Sequence, residues 1–322
     1  MLRLLGALLL LVAIGAADAR AQEQYPTRTV RIIVPSPPGG VTDILGRVIG
    51  QALSQSWGQA VIVDNRPGAD EMLGADAVAK ASADGYTLLV TSNTAITAAP
   101  HLHREMRYDA VKDFTPILML AQVTPVMNVP ASSPVKSVGE LIALAKSKPG
   151  ELNYGSFGNG SYVHVAMEEF KQRTGTQIQH IPYKGSAPAI TALLRGEIAV
   201  LIVNLSNVAE HVKAGTVRSI AAAGASRAAI RPDLPTIAEA GLPGFSTGAW
   251  WGLFGPANLP APVADKVRAA VARALASAEA RKVYDTNTLE PVAKTPAEFA
   301  QFIRSDLDNW GRQIKAAGIK PD

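Results

Sequence analysis

The sequence predicts an α/β protein of two lobes, each a mainly parallel sheet flanked by helices. Three observations carry this. Short β-rich runs alternate with amphipathic helical segments in two successive series. Each series holds one glycine-rich loop between a strand and a helix. Two links, Ala121–Pro134 and Pro243–Thr247, take the chain into the second series and back out of it.

The first series opens with a β-branched run, Thr29–Val34, read as a strand. A Pro/Gly loop leads to a helix over Thr42–Trp57, where Ile44, Leu45, Val48, Ile49, Ala52 and Leu53 recur with the spacing of a buried stripe. Then follow a strand at Ala60–Val63, a turn at Asn65–Gly68, a helix at Leu73–Ala81 and a strand at Tyr86–Thr91. Strand–helix–strand units imply parallel pairing through right-handed crossovers. In the second series, Ser137-Val-Gly-Glu140 reads as a capping box opening a helix to Lys148. Strands are expected at Leu152–Gly155, Ile178–Ile181, Ile198–Val203 and Ser219–Ala223, with helices at Ser161–Thr174, Ala187–Leu194 and Val208–Ala214 between them. Prolines 232, 235 and 243 break the pattern around a short helix at Ile237–Ala240. After a strand at Trp250–Phe254 come two or three helices with no strand between them, the last opened by Thr295-Pro-Ala-Glu298 and running to Ala316. The expected division is a signal peptide over 1–21, lobe 1 over 22–126 and 247–322, and lobe 2 over 127–246.

Composition excludes several classes. With 322 residues, 48% of them hydrophobic, the chain is globular and of about two-domain size. A formal charge of +4 without a basic run is too weak for nucleic-acid binding. The absence of cysteine removes disulfides, thiolate nucleophiles, iron–sulfur clusters and cysteine zinc sites. His101 and His103 have metal-like spacing only on a strand and lack clustered carboxylates, so neither metal nor cofactor is expected. At the N-terminus, Arg3 precedes an apolar run from Leu4 to Ala17 and a small-x-small site at Ala19-Arg20-Ala21. That run is shorter than the ~20 residues that span a bilayer, so it reads as a cleaved secretory signal peptide, with a mature exported chain starting near Gln22.

The strongest chemical signal is Pro35-Ser-Pro-Pro-Gly-Gly-Val-Thr-Asp43, between the first strand and its helix. Its glycines let the backbone curl, and the helix start behind it offers unpaired N–H donors at the positive dipole end. This is an anion cradle without the lysine of a nucleotide-phosphate loop. Gly155-Ser-Phe-Gly-Asn-Gly-Ser161 stands at the matching place in the second series. Two such loops grip one small carboxylate from both sides, through charge-assisted N–H bonds of roughly 1.5–3 kcal/mol each. Thr91-Ser92-Asn93-Thr94 adds hydroxyl and amide donors at a strand end, and Tyr183 is placed at the pocket wall.

These segments resemble the extracytoplasmic receptors of the tripartite tricarboxylate transporter type, the Bug proteins. The resemblance runs through YPTRTVRIIVPSPPGGVTDILGR, DNRPGA, GADAVAKASADGYTLL, YDAVKDFTPI, LNYGSFGNGS, IPYKG, HVKAGTVR, LPTIAEAGLPGF and AWWGLFGPANLP, nearly the whole mature chain. It implies a type II periplasmic binding-protein fold, a Venus flytrap closing over a small organic acid, and a monomer that docks on membrane subunits of a tripartite transporter. Pro38, Gly39, Gly40, Thr42 and Asp43 match the family's first loop, and Gly158, Asn159, Gly160 and Ser161 its second.

Two departures bear on the ligand. Where the family continues NRPGA with a glycine pair, this chain has Asp70-Glu71. Facing a second ligand carboxylate they would cost ~4 kcal/mol per unit-charge pair at 4 Å and an effective dielectric of 20, so either the side chains turn outward, which is expected because acidic residues suit a helix N-terminus, or the distal ligand group is neutral or cationic. Val203 precedes Asn204 where the family has Asp-Asn, which disfavours an amino-acid ligand. The expected ligand is a monocarboxylate, or a carboxylate with an apolar or aromatic body, helped by Phe157 or Trp251, although Trp250-Trp251 reads first as core or hinge packing. Two other readings stand beside this one: a periplasmic sensor serving a membrane kinase, and an exported hydrolase using Ser161 and His164. The hydrolase lacks an acid placed to orient the histidine, and the chain is expected not to be an enzyme.

Overall fold

The computed structural model describes residues 25–158, 161–228 and 231–321. The expected signal peptide at 1–21 and two expected site residues, Asn159 and Gly160, lie outside them.

Chain order begins with β1 (Val30–Val34), α1 (Val41–Trp57), β2 (Val61–Asn65), α2 (Met72–Ala79) and β3 (Thr87–Ser92). A π-helical turn over Thr94–Ala98 runs into the short α3 (Ala99–Leu102), and β4 (Phe114–Val123) follows. The next elements are β5 (Pro125–Pro130), α4 (Val138–Ser147), β6 (Leu152–Ser156), α5 (Tyr162–Thr174), β7 (Ile178–Pro182), α6 (Ser186–Leu194), β8 (Val200–Asn204), α7 (Leu205–Lys213) and β9 (Val217–Ala222). The chain closes with β10 (Ala249–Pro256), α8 (Ala261–Leu275), α9 (Ala278–Asn287), β11 (Glu290–Pro291) and α10 (Pro296–Ala316).

The strands form two sheets, ordered β11-β4-β10-β3-β1-β2 and β7-β6-β8-β5-β9. Strands joined by helices pair in parallel: β1 with β2 and β3, and β6 with β7 and β8. The sheets as wholes are mixed rather than mainly parallel. The segments that pass between them enter antiparallel, β10 against β3 and β4, β5 against β8 and β9. Helices cover both faces, so consecutive residues of the inner strands are buried: Ile32 and Ile33 in β1, Leu88 and Leu89 in β3, Val200 to Val203 in β8. Helix α1 lies close on its sheet because Gly46 and Gly50 face it. A Cβ at Gly46 would stand 2.8 Å from Val34 Cγ2.

Three elements depart from the sequence reading. The stretch 114–130, of which only a link was read, is two strands, β4 and β5, with Thr124 alone between them. Pro125 and Pro130 mask the second strand in the sequence, yet they sit at its two ends, where a missing N–H is tolerated. The expected helix at Ile237–Ala240 is a turn, closed by the Ala240 N–H to Thr236 O bond at 2.9 Å. The two-residue β11 pairs with β4 where no strand was expected.

Helix α10 starts at the expected box, Thr295 and Glu298 capping each other's backbone N–H, and straps the two sheets together. Phe299 and Ile303 pack on the first with Trp250 and Phe254. Trp310 and Ile314 pack with Val165 of α5, beneath the second, and with Ala98. Asn309 and Gln313 both donate to the Ser246 carbonyl at 2.7 Å.

Candidate functional site

The loop after β1 is held by Asp43. Its Oδ2 accepts from the Gly39 N–H at 2.9 Å and from Arg47 Nε at 3.0 Å, and its Oδ1 from Asn65 Nδ2 at 2.9 Å. Asn65 also donates to Ser36 O at 3.0 Å and accepts from Arg47 at 3.1 Å. Burial opposes ionisation of Asp43, but the bonds from Arg47, Gly39 and Asn65 outweigh it and hold the carboxyl below its ordinary range. Asp43 therefore braces the loop, and the Gly39 N–H is turned onto it. Beyond this brace, Pro38, Gly39 and Gly40 are exposed. Gly40 is the N-cap of α1, in extended conformation and with no side-chain cap, so the first-turn N–H groups point out of an open loop.

Parallel pairing sets the end of β3 beside the end of β1. Thr42 and Ser92 are then joined through Trp251. The indole N–H donates to Thr42 Oγ1 at 3.0 Å, and Trp251 is the ladder partner of Ser92. Trp251 is 9% exposed and packs in the core, the packing role favoured for it over a ligand contact. Asn93, buried, donates to Gly248 O at 3.3 Å and so ties β3 to the returning link.

Glu71 reverses its expected orientation. Its Oε2 accepts from Thr91 Oγ1 at 2.8 Å, Ser92 Oγ at 2.9 Å and the Ser92 N–H at 3.2 Å, so donors read as serving a ligand hold a carboxylate of the chain itself. The outward expectation rested on helix-terminus electrostatics; these three hydrogen bonds turn the side chain inward instead. Burial raises the Glu71 carboxyl above its ordinary value, the bonds from Thr91 and Ser92 offset this in part, and neighbouring Asp70 adds to the rise. Asp70 does turn outward, to His103 Nε2 at 2.9 Å. Ala69, Asp70 and Glu71 have φ of 47°, 49° and 69°. The left-handed region costs a non-glycine residue roughly 1–2 kcal/mol, and a glycine pair would occupy it at ease.

In the second loop, Ser156 Oγ is hydrogen-bonded to His180 Nε2 at 2.6 Å and accepts from the Gly158 N–H at 3.2 Å. Ser161 caps α5: its hydroxyl donates to Gly158 O at 2.8 Å and accepts from the His164 N–H at 3.4 Å. The hydroxyl offered to the hydrolase reading is thus committed to the loop's own backbone. The His164 ring stacks on His180 at 4.2 Å, and His180 on Tyr154 at 4.9 Å. Burial lowers both imidazoles below their ordinary value. Phe157 meets Tyr162 edge-on at 5.7 Å, and Tyr183 donates its N–H to Ser156 O at 3.0 Å.

The start of α5 lies against the turn that follows β3. Tyr162, the first residue of α5, packs against the Ala98 cluster at the end of the turn that continues from Asn93. Its carbonyl accepts from Thr247 Oγ1 at 3.4 Å. Asn204 stands at the end of β8, paired with Pro125 and lining a cavity of about 230 Å³ with Thr124 and Glu290. Its Oδ1 is buried and unpartnered among the described residues. Glu290, unnoticed in the sequence, accepts from Thr124 Oγ1 at 2.7 Å and Gln122 Nε2 at 3.2 Å. Among the described residues no group of three or more His, Asp or Glu side chains is placed to hold a metal ion. No helix among them is long and apolar enough to cross a membrane.

Comparison with known proteins places the fold in a family. The profile of the family described as "Tripartite tricarboxylate transporter family receptor" matches residues 45–319. Protein BugT of Bordetella pertussis is 35% identical over 322 residues, covering 99% of each chain. A structure from R. palustris, solved with adipate, is 37% identical with a TM-score of 0.65, over 92% of this chain and 100% of that one. A TctC solute-binding protein from Polaromonas, solved without ligand, is 29% identical with a TM-score of 0.82, over 90% of this chain and 99% of that one. The chain belongs to the tripartite tricarboxylate transporter receptor family.

Proposed function

We propose that this family member is a periplasmic receptor that captures a small organic carboxylate between its two lobes and delivers it to the membrane subunits of a tripartite transporter, without chemical turnover. The observation that carries the proposal is the uncapped start of α1 in an exposed loop, together with a second strand-to-helix loop whose helix packs on the segment following Asn93. Lobe 1 would comprise 22–126 and 247–322, and lobe 2 127–246. The carboxylate would take the first-turn N–H groups of α1 beside Pro38, Gly40 and Thr42, and those around Gly158 to Ser161, with Asn93, Phe157, Tyr183 and Asn204 bordering the space.

Shape agreement supports an open resting form, being greater with the ligand-free relative than with the adipate-bound one. Closure would then bury Pro38 to Gly40 and exclude water, which strengthens each N–H to carboxylate bond. A dissociation constant near 1 µM corresponds to about −8.2 kcal/mol, within reach of several such bonds at roughly 1.5–3 kcal/mol each. The test is native mass spectrometry of freshly purified protein, followed by thermal shift with a carboxylate panel. A co-purified small acid is expected, as is a rise in Tm with one ligand class; about 2.7 kcal/mol is gained at a hundred times Kd. Turnover of a bound ester or amide that Ser161→Ala abolishes would overturn the proposal in favour of a hydrolase.

A further inference from the structure

We infer that Glu71 sets the specificity of the cleft: its carboxylate fills, from within the chain, an anion position at the end of β3, so that the far end of a bound carboxylate is neutral or cationic rather than a second carboxylate. The inference rests on the carboxylate-receptor reading above and adds the ligand's class to it.

Two hydroxyls and one backbone N–H, from Thr91 and Ser92, converge on a single oxygen of Glu71. That is the donor set a free carboxylate would use, and it is already engaged. The position is close to the first loop without belonging to it. Ser92 is the ladder neighbour of Trp251, whose indole holds Thr42 at the start of α1. A ligand held by that helix start therefore reaches toward Glu71. Among the described residues the hydrogen-bond partners of the Glu71 carboxylate are Thr91 and Ser92, neither of them charged, and Asp70 stands next to it, so the field there is negative.

The backbone gives an independent reason to read the side chain as retained for a purpose. Three successive non-glycine residues hold left-handed conformations at 69–71. Outliers of this kind persist where the surroundings over-determine them, commonly at ligand sites. A glycine would relieve the backbone at 71 but would free the β3 donors.

The test titrates matched straight-chain ligands into the purified protein by calorimetry: adipate, hexanoate and 6-aminohexanoate, with the corresponding four- and five-carbon sets. The wild type is expected to prefer the one-carboxylate member of each set by at least about tenfold. Glu71→Gln, which keeps shape and loses charge, and Glu71→Gly, which also empties the position, should bring that ratio within about threefold by tightening the dicarboxylate. Wild-type protein binding adipate as tightly as hexanoate would overturn the inference. So would an unchanged ratio in both variants while the ligands still bind. Should no carboxylate bind wild type or variants, the receptor reading itself fails and takes this inference with it.

Discussion

Trp251 and Thr42 meet at 3.0 Å, indole N–H to hydroxyl, with both side chains buried. This one bond joins the central β10 to the first turn of α1, and so joins the strand returning from the second sheet to the loop proposed to hold the ligand. Removing the acceptor leaves a buried N–H without a partner, at a cost of roughly 1–3 kcal/mol. Thr42→Val should therefore lower the unfolding free energy measured by urea titration by that amount, while Thr42→Ser keeps the bond and most of the stability. Loss in Thr42→Ser with little in Thr42→Val would mean that the methyl contact, not the hydroxyl, carries the effect.

Gly40 separates folding from binding. Its φ of −79° and ψ of 167° suit any N-cap residue, and an added Cβ would come no closer than 3.9 Å to its nearest neighbour. Gly40→Asp places a carboxylate on the N–H groups proposed to hold the ligand. An aspartate cap is better than glycine by only a few tenths of a kcal/mol, so Tm should hold or rise slightly. Thermal shift by any carboxylate should disappear. A variant that still binds would move the anion site away from the start of α1.

Asp306 links α10 to the first sheet, accepting from Thr97 Oγ1 at 2.6 Å and Trp250 Nε1 at 2.8 Å. Burial raises its pKa, against the opposing effect of those two bonds. The unfolded carboxyl then releases its proton first as pH rises. Native stability falls between the ordinary value, about 3.9, and the raised one, and stays lower above it. An asparagine oxygen can accept from both donors without a charge. Asp306→Asn should be at least as stable as wild type at pH 7 and lose this part of the pH dependence, as followed by urea denaturation from pH 4 to 8.

Much of this architecture is legible in the sequence because period and punctuation coincide. The stripe from Ile44 to Leu53, the glycine after Trp57 and the Thr295–Glu298 box each identify a helix locally. Strand β5 is not legible, because prolines at 125 and 130 suppress the β signal and only pairing to β8 and β9 reveals it. The first loop is legible as a glycine-rich helix start, whereas the turn of Asp43 back onto Gly39 needs a third residue, Asn65, from the neighbouring strand. Glu71 is the instructive failure. Its charge argues for water, and its inward turn depends on a backbone conformation that sequence gives no reason to expect of Ala-Asp-Glu.

The last prediction concerns the second loop under acid. Tyr154, His180 and His164 form a stack of rings, and His180 holds Ser156 at the base of the loop at 2.6 Å. Protonating either imidazole places a charge in a partly buried stack and against the other ring, which is why burial, and for His180 the His164 ring as well, lowers their pKa values. Glu168 works in the other direction, but its carboxylate is already bonded to Tyr154 and Lys171. Because the unfolded chain takes up protons near the ordinary value of about 6.5, stability is greatest above that pH and declines as pH falls through it toward the folded value. The slope reaches at most about 1.4 kcal/mol per pH unit for each histidine. Urea midpoints should drop from pH 7.5 to 5.5, and carboxylate affinity should drop with them as the Ser156 contact loosens. His180→Gln removes the titrating ring and should flatten both curves. A wild-type affinity that is unchanged at pH 5.5 while stability falls would confine the stack to a structural role and leave the loop's grip on ligand independent of it.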